Sequence, residues 1–236
     1  MSTTNAWSAP PLIPGPWKDI APSDALALAT RIGAAMQALG SAESIWIAEL
    51  QRLRAIRLNI YENWLLGEAE VLLPDASHGV ANFLYGPGRR FVLLDHASAT
   101  VHALNETELV PLSNQELVAE YVRFFCCHLT ADAARFQIVE SVDQLMFPPG
   151  LDPAAIPAVV QEIGPLRVSP VAQVHDEYTA TVSGHLLFRN VLYRAQYLVS
   201  GDSVQMTADQ PICTLPVRAE LITGPLRILE LGPYEG

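Results

Sequence analysis

The stretch VAQVHDEYTATVSGHLLFRNVLYRAQYLV, residues 171–199, constrains the fold more than any other part of the chain. Apolar and polar residues alternate along it, and a side-chain period of two marks strands with one buried face. Ser183-Gly184 fits a two-residue hairpin turn. Folding there opposes Val182 to His185, Ala180 to Leu187, Tyr178 to Arg189, Asp176 to Val191 and Val174 to Tyr193, which gathers most apolar side chains on one face. The same register sets Asp176 and Arg189 diagonally on neighbouring strands, an opposite-charge pair on an otherwise greasy surface. Two roles suit such a pair. It can be an ion pair at the edge of the core, kept because either charge buried alone costs about 3–5 kcal/mol. It can also be the polar anchor of a concave apolar pocket. The second role makes Asp176, Arg189, Tyr178 and Tyr193 candidate ligand-binding residues. A third strand, Ser203–Thr207, returns after the Gly201-Asp202 turn.

Upstream, the pattern changes. After a proline-rich arm, residues 1–22, the recurrence of Leu28, Ile32, Met36 and Leu39 predicts a helix over 24–39 closed by Gly40. Ser41 offers a fresh N-cap, and Trp46, Leu50, Leu53, Ile60, Tyr61 and Trp64 fall on one stripe of a second helix ending near Gly67. The two predict an antiparallel helical hairpin, and a stripe with two Trp needs burial against the domain or a second copy. A homodimer through residues 24–65 is one of the two outcomes this allows. Glu68–Leu73, Gly79–Tyr85 and Arg90–Leu94 read as a meander, with a GPGR turn between the last two strands. Residues 114–130 read as a helix capped by Ser113, and Arg135–Ser141 as a strand.

The adjacent thiols of FFCCHL, 124–129, raise the question of a reactive or metal site. Neighbours on a helix point about 100° apart, so Cys126 and Cys127 cannot share a metal or a disulfide. Arg123, one turn before Cys127, could favour a thiolate; Glu116, Glu120 and the helix C-terminus oppose it. MFPPGLDP, 146–153, is the strongest punctuation in the chain, and a short helix is expected from Pro157. The organisation predicted is an arm (1–22), a helical hairpin, first meander and helix (23–146), a Pro/Gly break (147–153) and a long antiparallel meander (154–236), packed as one globular unit. This is an α+β fold, of a general shape that resembles cystatin-like or NTF2-like domains.

Function is bounded mostly by exclusion. A net charge of −11, with one lysine beside 13 arginines, disfavours nucleic acid as a partner. The arm lacks the basic n-region of a signal peptide, and no apolar run reaches the roughly 20 residues of a membrane span. Three cysteines without CxxC spacing fit a reducing compartment, so a cytoplasmic protein without membrane partner is expected. No GxSxG, HExxH, GxGxxG or Walker pattern occurs, and no cofactor or metal site is predicted. Asp95-His96, Ser98 and His102 lie close in sequence, and His96, His102, His175 and His185 have no metal-ligand spacing. The expectation is a non-catalytic module that holds a small apolar or mixed ligand against the sheet, or binds a protein. The rivals are a hydrolase or isomerase with a His/Asp pocket, and a structural subunit of an assembly.

Overall fold

The computed structural model describes residues 7–38, 50–73 and 77–233, the side chains of 22–24, 219 and 229–233 apart. In chain order its regular elements are β1 (Lys18–Asp19), α1 (Pro22–Ala38), β2 (Leu50–Arg57), β3 (Leu65–Leu72), β4 (His78–Tyr85), β5 (Phe91–Leu93), α2 (Ser98–Asn105) and α3 (Gln115–His128). There follow β6 (Thr130–Ala131), β7 (Ala134–Val139), β8 (Arg167–Val168), β9 (Ala172–Val174), β10 (Glu177–Phe188), β11 (Val191–Ser200), β12 (Ser203–Thr214), β13 (Arg218–Thr223) and β14 (Leu226–Pro233). The mixture of helices with antiparallel sheets is the predicted α+β class. Two compact units form: residues 1–58, 63–95 and 221–229, and residues 59–62, 96–220 and 230–236. The division falls at Asp95/His96 and near residue 220, and the punctuation at 147–153 lies inside the second unit.

The first unit is one sheet in the order β1-β2-β3-β4-β14-β13, with β5 also on β4. One face is apolar. Leu28, Ile32 and Met36 of α1 pack against Leu53, Ala69, Val71, Ala81, Phe83 and Leu226. Fully burying a side chain of this kind is worth about 1.5–3 kcal/mol, so this contact is what holds α1 in place. The predicted helical hairpin is not formed. Its first helix is α1, but residues 50–57 are strand β2, and residues 39–49, Trp46 among them, lie outside the described residues. LQRLRAIR satisfies both periods, and β2 is decided by its cross-strand partners: Arg52 opposes Glu70 and Arg54 opposes Glu68. Trp64 is wholly buried in its own unit, with Arg90 stacked 4.9 Å from its ring. The exposed two-Trp stripe behind the hairpin dimer is therefore not formed. The β4–β5 hairpin does form at Gly86–Arg90, with Gly88 at φ 64°.

The second unit holds the sheet β12-β11-β10-β7-β6, with β8 and β9 also paired to β10. Against one face lies α3, capped by Asn114 rather than Ser113: the Asn114 side chain accepts from Leu117 N at 3.0 Å. Phe124, Phe125, Cys126 and Cys127 are all buried on this helix. On the other face, short 3-10 turns between Val142 and Glu162 cover Val139, Leu187 and Leu192 with Val160, Phe147 and Ile163. This cover ends at Ile163, short of the next residues along the strands.

Residues 171–199 fold differently from expectation. Ser183 and Gly184 lie mid-strand in β10, and the β10–β11 turn is Arg189-Asn190, with Phe188 opposite Val191. The β9–β10 turn is His175-Asp176, and both residues adopt left-handed backbone, φ 50° and 68°. Gly184 is needed for close approach instead: a Cβ there would lie 2.4 Å from Leu166 Cδ2. The predicted Gly201-Asp202 turn forms, with Ser200 opposite Ser203, and its strand runs on to Thr214.

Candidate functional site

A cleft of about 460 Å³ opens on the sheet of the second unit, past the end of its apolar cover. Strand register assembles it. Ser183 on β10 opposes Arg167 of β8 on one side and Gln196 of β11 on the other, and His185 opposes Arg194. Residues directly opposed on a sheet share a face with Cβ atoms about 5 Å apart, so these five side chains form one patch. Glu162, Gly164 and Pro165 close the rim. A shallower hollow of about 390 Å³ shares Arg167, Ser183 and Gln196 and continues to Ser169, Thr181, Tyr197 and Thr207.

The rim is held from below. Glu140 Oε1 accepts from Leu166 N at 2.9 Å while the same carboxylate takes both arms of the Arg123 guanidinium, the second at 3.0 Å. This bidentate pair ties the loop before β8 to α3.

Electrostatically the cleft departs from the rest of the chain. Two guanidiniums, Arg167 and Arg194, face one carboxylate, Glu162, whereas the whole sequence has 25 acidic residues against 14 basic. Arg194 and Glu162 touch at 3.4 Å with both side chains more than half exposed, a pair that exchanges easily with solvent or another anion. Neither ring nitrogen of His185 has a hydrogen-bond partner, although both are shut off from solvent. Burial, then Arg194 and, less strongly, Arg167, draw its proton affinity below that of an ordinary imidazole, with Glu162 opposing. His185 is therefore neutral at pH 7 and offers one donor and one acceptor.

The residues expected to bind ligand are elsewhere and apart. Asp176 sits in the β9–β10 turn and Arg189 in the β10–β11 turn, at opposite ends of the twelve-residue β10. Arg189 pairs instead with Asp132 at 3.2 Å, in the open. The Asp176–Arg189 pair is thus not formed, because the turn that would have created it is six residues further on. Tyr178 opposes Gln173, and Tyr193 opposes Leu186 on one side and Pro211 on the other, both half-buried. An apolar cavity between α3 and the sheet, lined by Phe125, Phe136, Tyr197 and Met206, measures only about 90 Å³, well under the roughly 300 Å³ of small-molecule pockets.

The α3 thiols and the His96–His128 pair are buried in contacts of the fold. Cys127 is buried and its Sγ accepts from Ile138 N at 3.3 Å, and Arg123 is engaged by Glu140. Burial, chiefly, pushes the Cys126 thiol far above the usual range. His96 and His128 stack at 5.9 Å, and their rings donate to main-chain carbonyls: His96 Nδ1 to His128 O at 3.1 Å and His128 Nε2 to Ala97 O at 3.0 Å. His175 is on an exposed turn. Among the described residues no group of three or more His, Cys, Asp or Glu side chains is arranged for a metal, and no helix is long and apolar enough to cross a membrane. The signal missed in the sequence was β8. Arg167 lies 16 residues before Ser183 with no motif around it, and it reaches the cleft only through strand pairing.

Comparison with known proteins returns no match among family models, curated proteins or solved structures, so no cystatin-like or NTF2-like relative supports that shape.

Proposed function

We propose that the chain binds a small organic anion in the cleft of its second unit. One observation carries this reading: Arg167 and Arg194 flank a His185 whose ring nitrogens have no partner, in a cleft of about 460 Å³ on an acidic protein. A carboxylate or phosphate would take the guanidiniums in fork geometry, displacing the weak Glu162 contact. Ser183 and Gln196 add a hydroxyl and an amide for orientation, and His185 reads one further donor or acceptor. The adjoining hollow along Ser169, Thr181 and Thr207 leaves room for a larger body.

Isothermal titration of the full chain with inorganic phosphate, a monocarboxylate and a dicarboxylate tests the reading. Saturable binding that weakens tenfold or more in both Arg167→Gln and Arg194→Gln is expected. Three anions without measurable heat in the native chain would remove it.

A second reading has its own support. His185 and Glu162 line the same cleft as the Ser183 hydroxyl, a set able to perform general acid–base chemistry on a bound ester or carbonyl compound. Turnover of activated esters with a rate that follows a single ionisation below pH 6.5 and vanishes in His185→Gln would favour catalysis over carriage.

A further inference from the structure

The face of the first sheet turned away from α1 carries charge at its centre. Glu68 and Asn82 are wholly buried there, Glu70 and Arg227 nearly or fully so, and Arg54 is 8% exposed. Glu68 bonds Arg54 on one oxygen and Arg227 on the other, the latter at 2.8 Å, and Glu70 bonds Arg52. The Asn82 amide, oriented to donate to Glu68 Oε1 at 3.3 Å and to accept from Arg227 Nε at 3.1 Å, completes the array. Three guanidiniums thus meet two carboxylates.

What covers this array is the segment WSAPPLIPGPW, residues 7–17, held by main-chain hydrogen bonds and by the buried side chains of Ala9, Leu12 and Ile13. Ser8 N donates to Glu70 at 2.6 Å and Leu12 N to Glu68 at 2.7 Å. Arg54 and Arg227 donate to the carbonyls of Ala9 and Pro10, at 3.3 and 3.2 Å. The Trp7 ring lies 3.9 Å from the Arg54 guanidinium and 4.9 Å from that of Arg52, and Trp17 lies 5.3 Å from Arg54. Carbonyl oxygens and aromatic faces answer the surplus positive charge. Proline suits the stretch between the two donating amides, because Pro10 and Pro11 bring no N–H that would be buried unpaired.

Two features set this apart from an ordinary core. A permanently closed interior is as stable or more stable when apolar, whereas an array of ions can be left to water when its cover departs. The cover also contributes no strand to the sheet: it precedes β1, which pairs with β2, and joins it through Pro14-Gly15-Pro16.

We infer that this charged face is a binding site for a tryptophan-flanked, proline-rich peptide, occupied by the chain's own residues 7–17 and open to exchange for the same segment of a second copy. The second copy is the partner to name, since residues 7–17 are the sequence seen to fit. Tethering gives the resident segment an effective concentration in the millimolar range, so it dominates in dilute solution and reciprocal exchange emerges as the protein is concentrated. The inference is independent of the anion cleft.

A fluorescent synthetic peptide of residues 7–17, followed by anisotropy against the full chain, reads the exchange. The chain carrying Trp7→Ala or Ser8→Pro, whose own segment holds less tightly, should bind the peptide at least fivefold better than the native chain. A peptide carrying Leu12→Pro, which lacks the amide that donates to Glu68, should bind at least tenfold worse. Circular dichroism melts establish that both variants are folded, and having two guards the test against loss of one. Light scattering of the native chain should show a dimer growing with concentration and returning to monomer with excess peptide. Equal or absent peptide binding by the native and variant chains overturns the site; peptide binding by a chain that stays monomeric at every concentration overturns the second copy as its partner.

Discussion

Each unit has a sheet with one face packed by a helix and one face that carries charge, and the two treat that second face in opposite ways. In the first unit Glu68, Glu70, Arg54 and Arg227 are buried under residues 7–17, with each carboxylate held by an arginine at 2.8 Å or less and two guanidiniums sharing Glu68. In the second unit Arg167, Arg194 and Glu162 stay in water around a neutral His185, with a single long contact between them. Desolvation makes the difference. A charge that loses its partner while still covered has nowhere to go, whereas an exposed one is rehydrated, so removing one partner is costly in the first unit and cheap in the second.

Breaking one carboxylate in each unit tests this most directly. Glu68→Ala leaves Arg227 and Arg54 buried without their shared partner and is expected to lower stability by about 3–5 kcal/mol in urea titrations, whereas Glu162→Ala should change it by less than about 1 kcal/mol. A comparable loss in both variants would erase the contrast.

The glycines give a smaller effect in the same direction. At Gly67 a Cβ would lie 2.2 Å from the buried Phe83 ring, and Gly67→Ala should cost about 1–3 kcal/mol because a packed ring cannot step aside. At Gly184 the new methyl meets the flexible end of Leu166, so Gly184→Ala should cost less in stability and show instead as weakened anion binding beside Arg167.

Acid and near-neutral pH separate the units further. Burial alone would raise the Glu70 carboxyl, but Arg52 and Ser8 overcome it and hold the group below the ordinary carboxylate value. A depressed carboxylate contributes stability that is present above about pH 4.5 and is lost as pH falls through its folded value. Trp7 fluorescence of the dilute native chain should therefore report acid release of the segment below that pH. His185 is also depressed, but its charged form is the protonated one, so the unfolded chain takes up the proton first and stability declines as pH drops below about 6.5. A bound anion favours the imidazolium, so anion affinity should rise over the same interval and lose its pH dependence in His185→Gln. The smallest effect concerns the thiols: native-state alkylation should reach partly exposed Cys213 first, and Cys126 and Cys127 only on unfolding.

How far these features could be read in advance depended on whether the deciding contacts were local. The helix at α3, the β4–β5 hairpin and the Gly201-Asp202 turn were legible because a side-chain period or a turn dipeptide states each within a few residues. The strand β2 was not, because LQRLRAIR fits a helical stripe as well as an alternating one, and the Glu68 and Glu70 that select the strand come from the next element. Ser183-Gly184 misled because a glycine needed for Leu166 imitates one needed for a turn, while the real turns place His175, Asp176 and Arg189 in left-handed backbone that glycine more often occupies. The cleft was least legible of all. Its residues are unremarkable singly and meet only by pairing across three strands.

Glu140 grips Arg123 on α3 and Leu166 at the lip of the cleft, so the helix and the lip move as one lever. A guest that pulls Arg167 inward would tug on this carboxylate, and hydrogen–deuterium exchange should slow not only at Leu166 but along the buried turn of α3 that carries Arg123.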